Sequence, residues 1–117
     1  MWTKRDNGSD VIWQQARDYC ASLSANRYAG YTGWRLPEIG ELAGLYDSSA
    51  TQRPPGLAYD VHVKGGIRMT GSRFWSATAG NASGEAWDFY FYSGSRSSGP
   101  LDDPGSHRAL CVRRSGE

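Results

Sequence analysis

The chain has 117 residues, of which 38% are hydrophobic and 13% aromatic, and it carries a formal charge of +1 at pH 7. A chain of this length can bury a substantial core, so we expect one domain spanning residues 1–117. With a net charge this close to zero, the chain is not expected to have the broad basic surface typical of proteins that bind nucleic acid or anionic membranes. No segment reaches the roughly 18 apolar residues of a membrane helix. We therefore predict neither nucleic-acid binding nor direct membrane insertion.

The two cysteines, Cys20 and Cys111, lie near opposite ends of the chain. In an oxidising compartment a bridge between them would close a loop of about ninety residues and contribute roughly 4 to 5 kcal/mol. Two buried, reduced thiols are the alternative. Their spacing excludes a CxxC redox or zinc motif. The first five residues are not followed by the apolar run of a signal peptide, so an export signal would lie outside this segment.

A first helix is predicted over residues 11–23, with Ser9 or Asp10 capping its first amides. One face of this helix carries a stripe of apolar and small residues: Trp13, Ala16, Cys20 and Leu23. Residues at this spacing share one side of a helix, so Cys20 should face the interior.

A second helix is predicted to open at Pro37, whose missing amide proton is harmless in a first turn. Its inward residues would be Ile39, Leu42 and either Leu45 or Tyr46. Residues 47–73 show neither helical nor strand periodicity, and the segment is too long for an ordinary connection. A loop of this length is usually functional or ordered by packing.

Short strands are predicted at residues 2–4, 71–77, 86–92 and 108–113. In the third of these, alternation points Trp87, Phe89 and Phe91 to the core. The intervening side chains would face solvent, and these are Asp88, Tyr90 and Tyr92.

The segment from Ser93 to His107 is rich in Ser, Gly and Asp and offers little to bury. Tyrosine beside Ser, Gly and Arg is typical of contact surfaces, because tyrosine is rigid and the small residues hydrogen-bond adaptably. We therefore predict a non-enzymatic recognition domain. Its predicted ligand-binding residues are Asp88, Tyr90, Tyr92, Ser93, Ser95, Arg96, Ser97, Ser98, Asp102, Asp103 and His107.

Four sequence blocks occur in one order over nearly the whole chain. They are Trp13-x-x-Ala16-x-x-x-Cys20-x-x-Leu23, Trp34-Arg35-Leu36-Pro37-x-x-x-Glu41-Leu42, Phe74-Trp75-Ser76-Ala77-Thr78 and Ala109-Leu110-Cys111-Val112-Arg113. The series resembles the C-terminal domain of bacterial collagen-like adhesins, a family with a C-type-lectin-like fold. The Trp-Arg-Leu-Pro entry to the second helix is its most specific part.

The resemblance implies an α+β, C-type-lectin-like fold, with two helices packed on a small twisted antiparallel sheet and long irregular loops. It also implies paired chain ends and a disulfide between Cys20 and Cys111 that joins a helix to the last strand. The long-loop side, together with the late hairpin, would form the ligand face.

Some members of this fold resemble the variable proteins of diversity-generating retroelements, in which adenine-directed mutagenesis rewrites Asn codons. Such rewriting never produces Lys, Glu, Gln, Met or Trp. Residues 88–108 contain none of these five residue types and no Asn. The resemblance therefore implies that this tract is a diversified surface, although a Ser/Gly-rich loop would produce much of the same pattern.

Other chemistries have weaker support in the sequence. The triplets that hold calcium in C-type lectins are absent, so Asp102 and Asp103 are interpreted as turn formers and no metal or cofactor is predicted. His62 and His107 do not stand in a nucleophile motif, which argues against a hydrolase. All five Trp residues lie at positions that favour core packing over sugar stacking.

The predicted partner is a protein or glycan ligand on a surface, and the predicted location is secreted, cell-surface or on a phage or virus particle. Two alternatives to a protein-binding domain remain: an adhesin-like glycan-binding lectin domain, and a structural module of a surface or phage-tail assembly.

Overall fold

A computed structural model describes residues 1–103 and 107–113 of the chain. Its helices are α1 (Trp13–Ala25) and α2 (Ile39–Leu45), with two short 3-10 turns at Tyr28–Gly30 and Lys64–Gly66. Its strands are β1 (Arg73–Ala79), β2 (Glu85–Tyr90), β3 (Ser95–Pro100) and β4 (His107–Arg108). The α+β class predicted from the sequence is confirmed. None of the helices in the described ranges is long and apolar enough to cross a membrane.

The four strands form one sheet in the order β3-β2-β1-β4. The first three strands pair antiparallel, but β4 runs parallel to β1, with Arg73 opposite His107. The prediction of a wholly antiparallel sheet is therefore wrong at this edge. Since β3 and β4 lie at opposite edges of the sheet and run in the same direction, they are not partners in a hairpin.

Strand β3 occupies part of the serine-rich tract, where no strand was predicted. All six of its residues pair with β2, from Tyr90 opposite Ser95 to Glu85 opposite Pro100. An edge strand is held by backbone hydrogen bonds and can expose its side chains, so it needs no hydrophobic alternation. This is why the residue pattern did not reveal it.

Both faces of the sheet are covered. On one face, Phe74 and Phe89 pack with α2 and the long loop, in a buried cluster that also contains Leu42, Leu45, Val61, Val63, Ile67, Met69, Phe91 and Leu110. On the other face, Trp75 and Ala86 pack against α1, in a cluster that also contains Ala16, Cys20, Trp34, Leu36, Ala109 and Cys111. The predicted burial of Phe89 and Phe91 is confirmed, whereas Trp87 is only half-buried.

A disulfide joins Cys20 in α1 to Cys111 after β4, with their Cα atoms 5.6 Å apart. The chain ends pair as predicted, since the amide of Thr3 donates to the carbonyl of Cys111 at 3.0 Å. Val112 also forms bridges with Trp2 and with Arg35. Covalent and hydrogen bonds thus fasten both ends of the chain beside α1.

The first helix begins two residues later than predicted, and neither Ser9 nor Asp10 caps it. The reason is tertiary: the amide of Val11 donates to His107, and its carbonyl accepts a hydrogen bond from the Trp75 indole, both at 2.9 Å. These bonds hold Val11 outside the helix. Gln15 then supplies the cap by accepting from the amide of Ile12.

The Trp-Arg-Leu-Pro block has a clear structural role at the start of α2, which begins at Ile39. Arg35 binds both carboxylate oxygens of Glu41, at 2.8 and 3.0 Å. The same carboxylate accepts from the amide of Glu38 and so caps the helix. The flanking Trp34 and Leu36 are buried, so the block couples a helix cap to the core.

The long segment before β1 is ordered by packing. Val61, Val63, Ile67 and Met69 are buried, and the Gln52 side chain bonds the backbone of Ile67 and Met69 at 2.7 and 2.8 Å. The ring of His62 is hydrogen-bonded, because its Nδ1 lies 3.0 Å from the backbone carbonyl of Ala50.

Replacing Gly94 with alanine is expected to destabilise the protein more than the same change at Gly84. Both glycines have a positive φ, 77° and 78°, where an added Cβ costs about 1 to 2 kcal/mol. At Gly94 the Cβ would also lie 2.8 Å from a ring carbon of Tyr46, whereas at Gly84 it meets nothing within 4 Å. Overpacking of this kind costs about 1 to 3 kcal/mol more. Urea unfolding measures the difference, and equal losses would contradict the contact between the hairpin turn and Tyr46.

Candidate ligand-binding face

Three tyrosines from two distant parts of the chain meet at the end of the β2–β3 hairpin. Tyr92 is 50% exposed. Its ring lies edge-on to Tyr59, with centroids 4.6 Å apart, and 6.1 Å from the ring of Tyr90. The guanidinium of Arg73 lies 5.7 Å from the Tyr90 ring centre. We call Tyr59, Tyr90, Tyr92 and Arg73 the tyrosine face.

Bonds beneath the tyrosine face hold it in place. The turn residue Phe91 is fully buried between Phe74 and Phe89, with ring centres 5.5 and 4.8 Å away. Its amide donates to the carbonyl of Ser72 at 2.8 Å, and the Tyr59 hydroxyl lies 2.9 Å from the Ser72 hydroxyl. The exposed rings therefore stand on buried aromatic side chains and fixed backbone.

Tyr59 was not predicted as a site residue. It lies in the long loop, in a stretch without periodicity, and tertiary packing brings its ring against Tyr92. The one relevant indication came from the family resemblance, which implied that the long-loop side and the late hairpin form the ligand face together.

The predicted outward position of Asp88 is wrong, and His107 is also inaccessible. Both side chains have 0% exposure. Alternation does place Asp88 and Tyr90 on one face of β2, opposite Phe89. That face is itself covered beside Trp75, so a side chain on it is not exposed.

Asp88 is the centre of a buried hydrogen-bond network, which we call the Asp88 network. One carboxylate oxygen accepts from Arg73 at 2.8 Å and from Nε2 of His107 at 2.5 Å. The other accepts from the Ser97 hydroxyl at 2.5 Å. The His107 ring stacks on Trp75, with centres 3.9 Å apart. The network therefore links side chains from all four strands.

The electrostatics of Asp88 follow from these contacts. Burial by itself raises the pKa of a carboxyl group. In Asp88 the hydrogen bonds from His107 and Ser97, together with the positive charge of Arg73, outweigh burial and hold its pKa below the ordinary value. The buried carboxyl is thus ionised at neutral pH.

Ser97, Asp88 and His107 do not have the geometry of a catalytic triad. In such a triad the histidine lies between the hydroxyl and the carboxylate and accepts the hydroxyl proton. Here the hydroxyl donates directly to the carboxylate, and the imidazole is buried against an indole. The arrangement stabilises the sheet and does not activate Ser97 as a nucleophile.

The other predicted site residues fall into two groups. Ser93, Ser95 and Arg96 are exposed residues of the hairpin, and the hydroxyls of Ser93 and Ser95 lie 2.7 Å apart. The register places Ser95 opposite Tyr90 but Arg96 opposite Phe89, so the Arg96 side chain points to the other face of the hairpin. Ser98 shares that face and donates to Glu85 at 2.7 Å.

Asp102 and Asp103 follow the far end of β3, about 16 Å from the tyrosine face at the usual rise of a strand. The amide of Asp103 donates to the Pro100 carbonyl at 3.2 Å, as in a turn. Across the described ranges, no three His, Cys, Asp or Glu side chains converge as a metal site would require. The structure therefore does not bring this acidic pair together with the tyrosines.

A cleft of about 200 Å³ adjoins the tyrosine face. Its walls include Tyr59, Tyr90, Arg73 and Arg108. Arg108 is held by an ion pair with Asp10 at 3.2 Å. An aromatic plateau beside a basic cleft can receive a ligand that offers both apolar and acidic groups.

The two helices packed on one curled sheet define a C-type-lectin-like domain. The family model described as the Lcl C-terminal domain matches residues 1–113. The chain therefore belongs to the Lcl C-terminal domain family, and the resemblance read from its four sequence blocks is confirmed. No curated protein matches it.

Asp88→Asn is expected to destabilise the fold by about 3 kcal/mol at pH 7. This lies between the values for a charged hydrogen bond and for breaking a buried ion pair. Because folding lowers the pKa of Asp88, its charge stabilises the protein fully above the unfolded pKa, near 4, and this stabilisation is lost as pH falls through the folded pKa. Urea unfolding at pH 7, 5 and 3 should show a constant difference from wild type that shrinks only at the lowest pH. A difference that grows on acidification would contradict an ionised Asp88.

Proposed function

We propose that residues 1–117 form one non-enzymatic recognition domain that binds a protein ligand through the tyrosine face together with the exposed hairpin residues Ser93, Ser95 and Arg96. The observation that carries this proposal is the half-exposed ring of Tyr92, held between Tyr59 and Tyr90 over buried Phe91. Membership of a ligand-binding, C-type-lectin-like family supports it.

Rigidity favours binding at this face. A side chain that is already ordered loses little rotamer entropy on docking, and each immobilised side chain otherwise costs about 0.5 to 1.5 kcal/mol. Tyrosine rings fixed by ring contacts, next to small hydroxyl residues, provide large contact area with adaptable hydrogen bonds. Lectins can bind glycans through similar exposed aromatic rings. Glycan recognition is therefore the competing outcome of the test below.

A secreted or cell-surface location, including the surface of a phage or virus particle, is part of the proposal. The bond between Cys20 and Cys111 supports it, because disulfides persist in oxidising compartments. An adhesin role would follow if the ligand is carried by a cell.

Tyr92→Ala should weaken ligand binding at least about 30-fold, because truncating an aromatic anchor costs 2 kcal/mol or more. Ligands would first be selected on arrays of surface proteins and of glycans, and dissociation constants then measured for wild type and variant. Tyr31→Ala is the matched control, since Tyr31 is 43% exposed and lies elsewhere, against Arg113.

Equal weakening by Tyr92→Ala and Tyr31→Ala would reject the assigned face. If only glycans bind on the arrays, the ligand is a sugar and the proposed protein partner is rejected. Phe91→Ala gives the stability reference, with an expected loss of about 3 to 5 kcal/mol, whereas Tyr92→Ala should unfold nearly as wild type.

We also propose that retroelement diversification, where it acts on this chain, is confined to the exposed part of residues 88–108. Tyr92, Ser93, Ser95 and Arg96 are exposed and do not support the core. The buried residues of the same tract hold the sheet together, and these are Asp88, Phe89, Phe91 and His107. Random replacement is compatible with folding only in the first group.

Ser95→Arg and Arg96→Ser should each change the unfolding free energy by less than about 0.5 kcal/mol, as exposed substitutions usually do. His107→Ser should cost about 3 kcal/mol, because it removes a charged hydrogen bond and a stacked ring. Urea denaturation measures all three. Similar losses at all three positions would reject this division, and a second gene copy with Asn codons at the exposed positions, beside a reverse transcriptase, would support diversification.

A further inference from the structure

A larger cleft, of about 440 Å³, lies on the other side of Thr70 from the tyrosine face. We call it the arginine cleft, and its walls include Arg5, Asp6, Gly8, Tyr19, Arg68 and Thr70. Thr70 also lines the cleft beside the tyrosine face, so the two depressions are neighbours along residues 68–73.

The backbone holds two arginines side by side in this cleft. Arg5 and Arg68 form a parallel bridge pair, in which the amide of Arg68 donates to Lys4 at 2.8 Å and the amide of Asp6 donates to Arg68 at 3.1 Å. Both side chains are exposed. Among the residues that the structure describes, neither guanidinium has an ion pair or a hydrogen bond. Two unpaired cations held together attract an anion from solution.

The nearby carboxylate of Asp6 does not neutralise the arginines by pairing with them. Asp6 is 3% exposed. Its oxygens accept from the Gly8 amide at 2.9 Å and from the amide and hydroxyl of Thr70 at 2.7 and 2.8 Å. The carboxylate is thus occupied by these three hydrogen bonds, two from backbone amides and one from a hydroxyl. Two arginines and one buried carboxylate give the cleft a net charge of about +1, which matches an anion with one charge.

A third donor lines the same cleft. The hydroxyl of Tyr19 has no hydrogen-bond partner among the described residues. Burial raises the pKa of Tyr19, and although Arg5 lowers it, Tyr28 and Asp6 raise it further. The phenol therefore keeps its proton at neutral pH and can donate it to a bound oxygen.

We propose that the arginine cleft binds a carboxylate group through Arg5, Arg68 and the Tyr19 hydroxyl. The guanidinium is a planar fork that matches the two oxygens of a carboxylate, and charge-assisted bonds of this kind are about twice as strong as neutral ones. The carboxylate can come from an Asp or Glu side chain of a protein or from an acidic sugar. The site does not depend on the tyrosine face.

Titration of the ¹⁵N-labelled protein with acetate, at constant ionic strength maintained with chloride, tests this site. Saturable NMR shifts are expected for the amides of Gly8 and Thr70 and for the Nε–H groups of Arg5 and Arg68. Arg5→Gln and Arg68→Gln should each weaken acetate binding about tenfold, since each removes a charge-assisted hydrogen bond. Arg53→Gln is the matched control, because Arg53 is exposed, pairs with Asp60 and lies outside the cleft.

Tyr19→Phe provides a second measurement that leaves the ring packing intact. It should weaken acetate binding about tenfold, because the phenol would donate a charge-assisted hydrogen bond to the carboxylate. Near-UV circular dichroism checks that each variant is folded. If an arginine variant does not fold, the effect of Tyr19→Phe on acetate binding tests the site instead. Tyr92→Ala should leave acetate binding unchanged, so failure of this site and failure of the tyrosine face are separable.

Two further probes identify the source of the carboxylate. Tighter binding of N-acetyl-aspartate amide than of glucuronate would assign the cleft to a protein side chain, and the reverse order would assign it to an acidic sugar. The proposal is overturned by non-saturable shifts, by equal weakening in Arg53→Gln, or by inorganic sulfate binding more tightly than acetate.

Discussion

The hydrogen bonds to the Asp88 carboxylate are the interaction on which the rest of the sheet depends. It lies in β2 and accepts hydrogen bonds from Arg73 in β1, Ser97 in β3 and His107 in β4. A buried carboxylate with no partners would cost several kcal/mol, so each of the three donors contributes to the stability of the sheet. One charged group therefore sets the relative positions of four strands, including a two-residue strand that has little ladder of its own.

This network also separates support from recognition within one tract of sequence. Arg73 contacts Asp88 below and Tyr90 above, so the buried charge positions a residue of the exposed face. Phe91 and Tyr92 are neighbours in sequence, yet one is fully buried and the other half-exposed. A ligand surface built this way can change its exposed side chains while the buried ones continue to specify the fold.

The remaining frame is provided by the chain ends and the second helix. The disulfide and the bridges of Val112 hold the ends against α1, while Arg35 connects the last segment to the cap of α2 through Glu41. The tyrosine face and the arginine cleft are neighbours along residues 68–73, because Thr70 lines both the arginine cleft and the cleft beside the tyrosines.

Much of the fold could be predicted from local patterns. Helical stripes identified α1 and α2, the aromatic blocks identified β1 and β2, and the four blocks in order identified the family and the bridge between Cys20 and Cys111. The candidate site was only partly predictable. Tyr92, Ser93, Ser95 and Arg96 are exposed, as a binding residue must be, whereas Asp88 and His107 are buried.

The sequence by itself therefore determined the fold class, the two helices, the aromatic core and the disulfide, because each depends on side-chain periodicity or on a recognisable block. Only the tertiary structure decided that the serine tract forms β3, that Asp88 and His107 are buried, and that Tyr59 joins the exposed tyrosines. In each case the deciding interaction does not follow from the local pattern of side chains. Edge-strand pairing uses backbone groups that every residue has, and the burial of a polar side chain depends on which distant segment covers it.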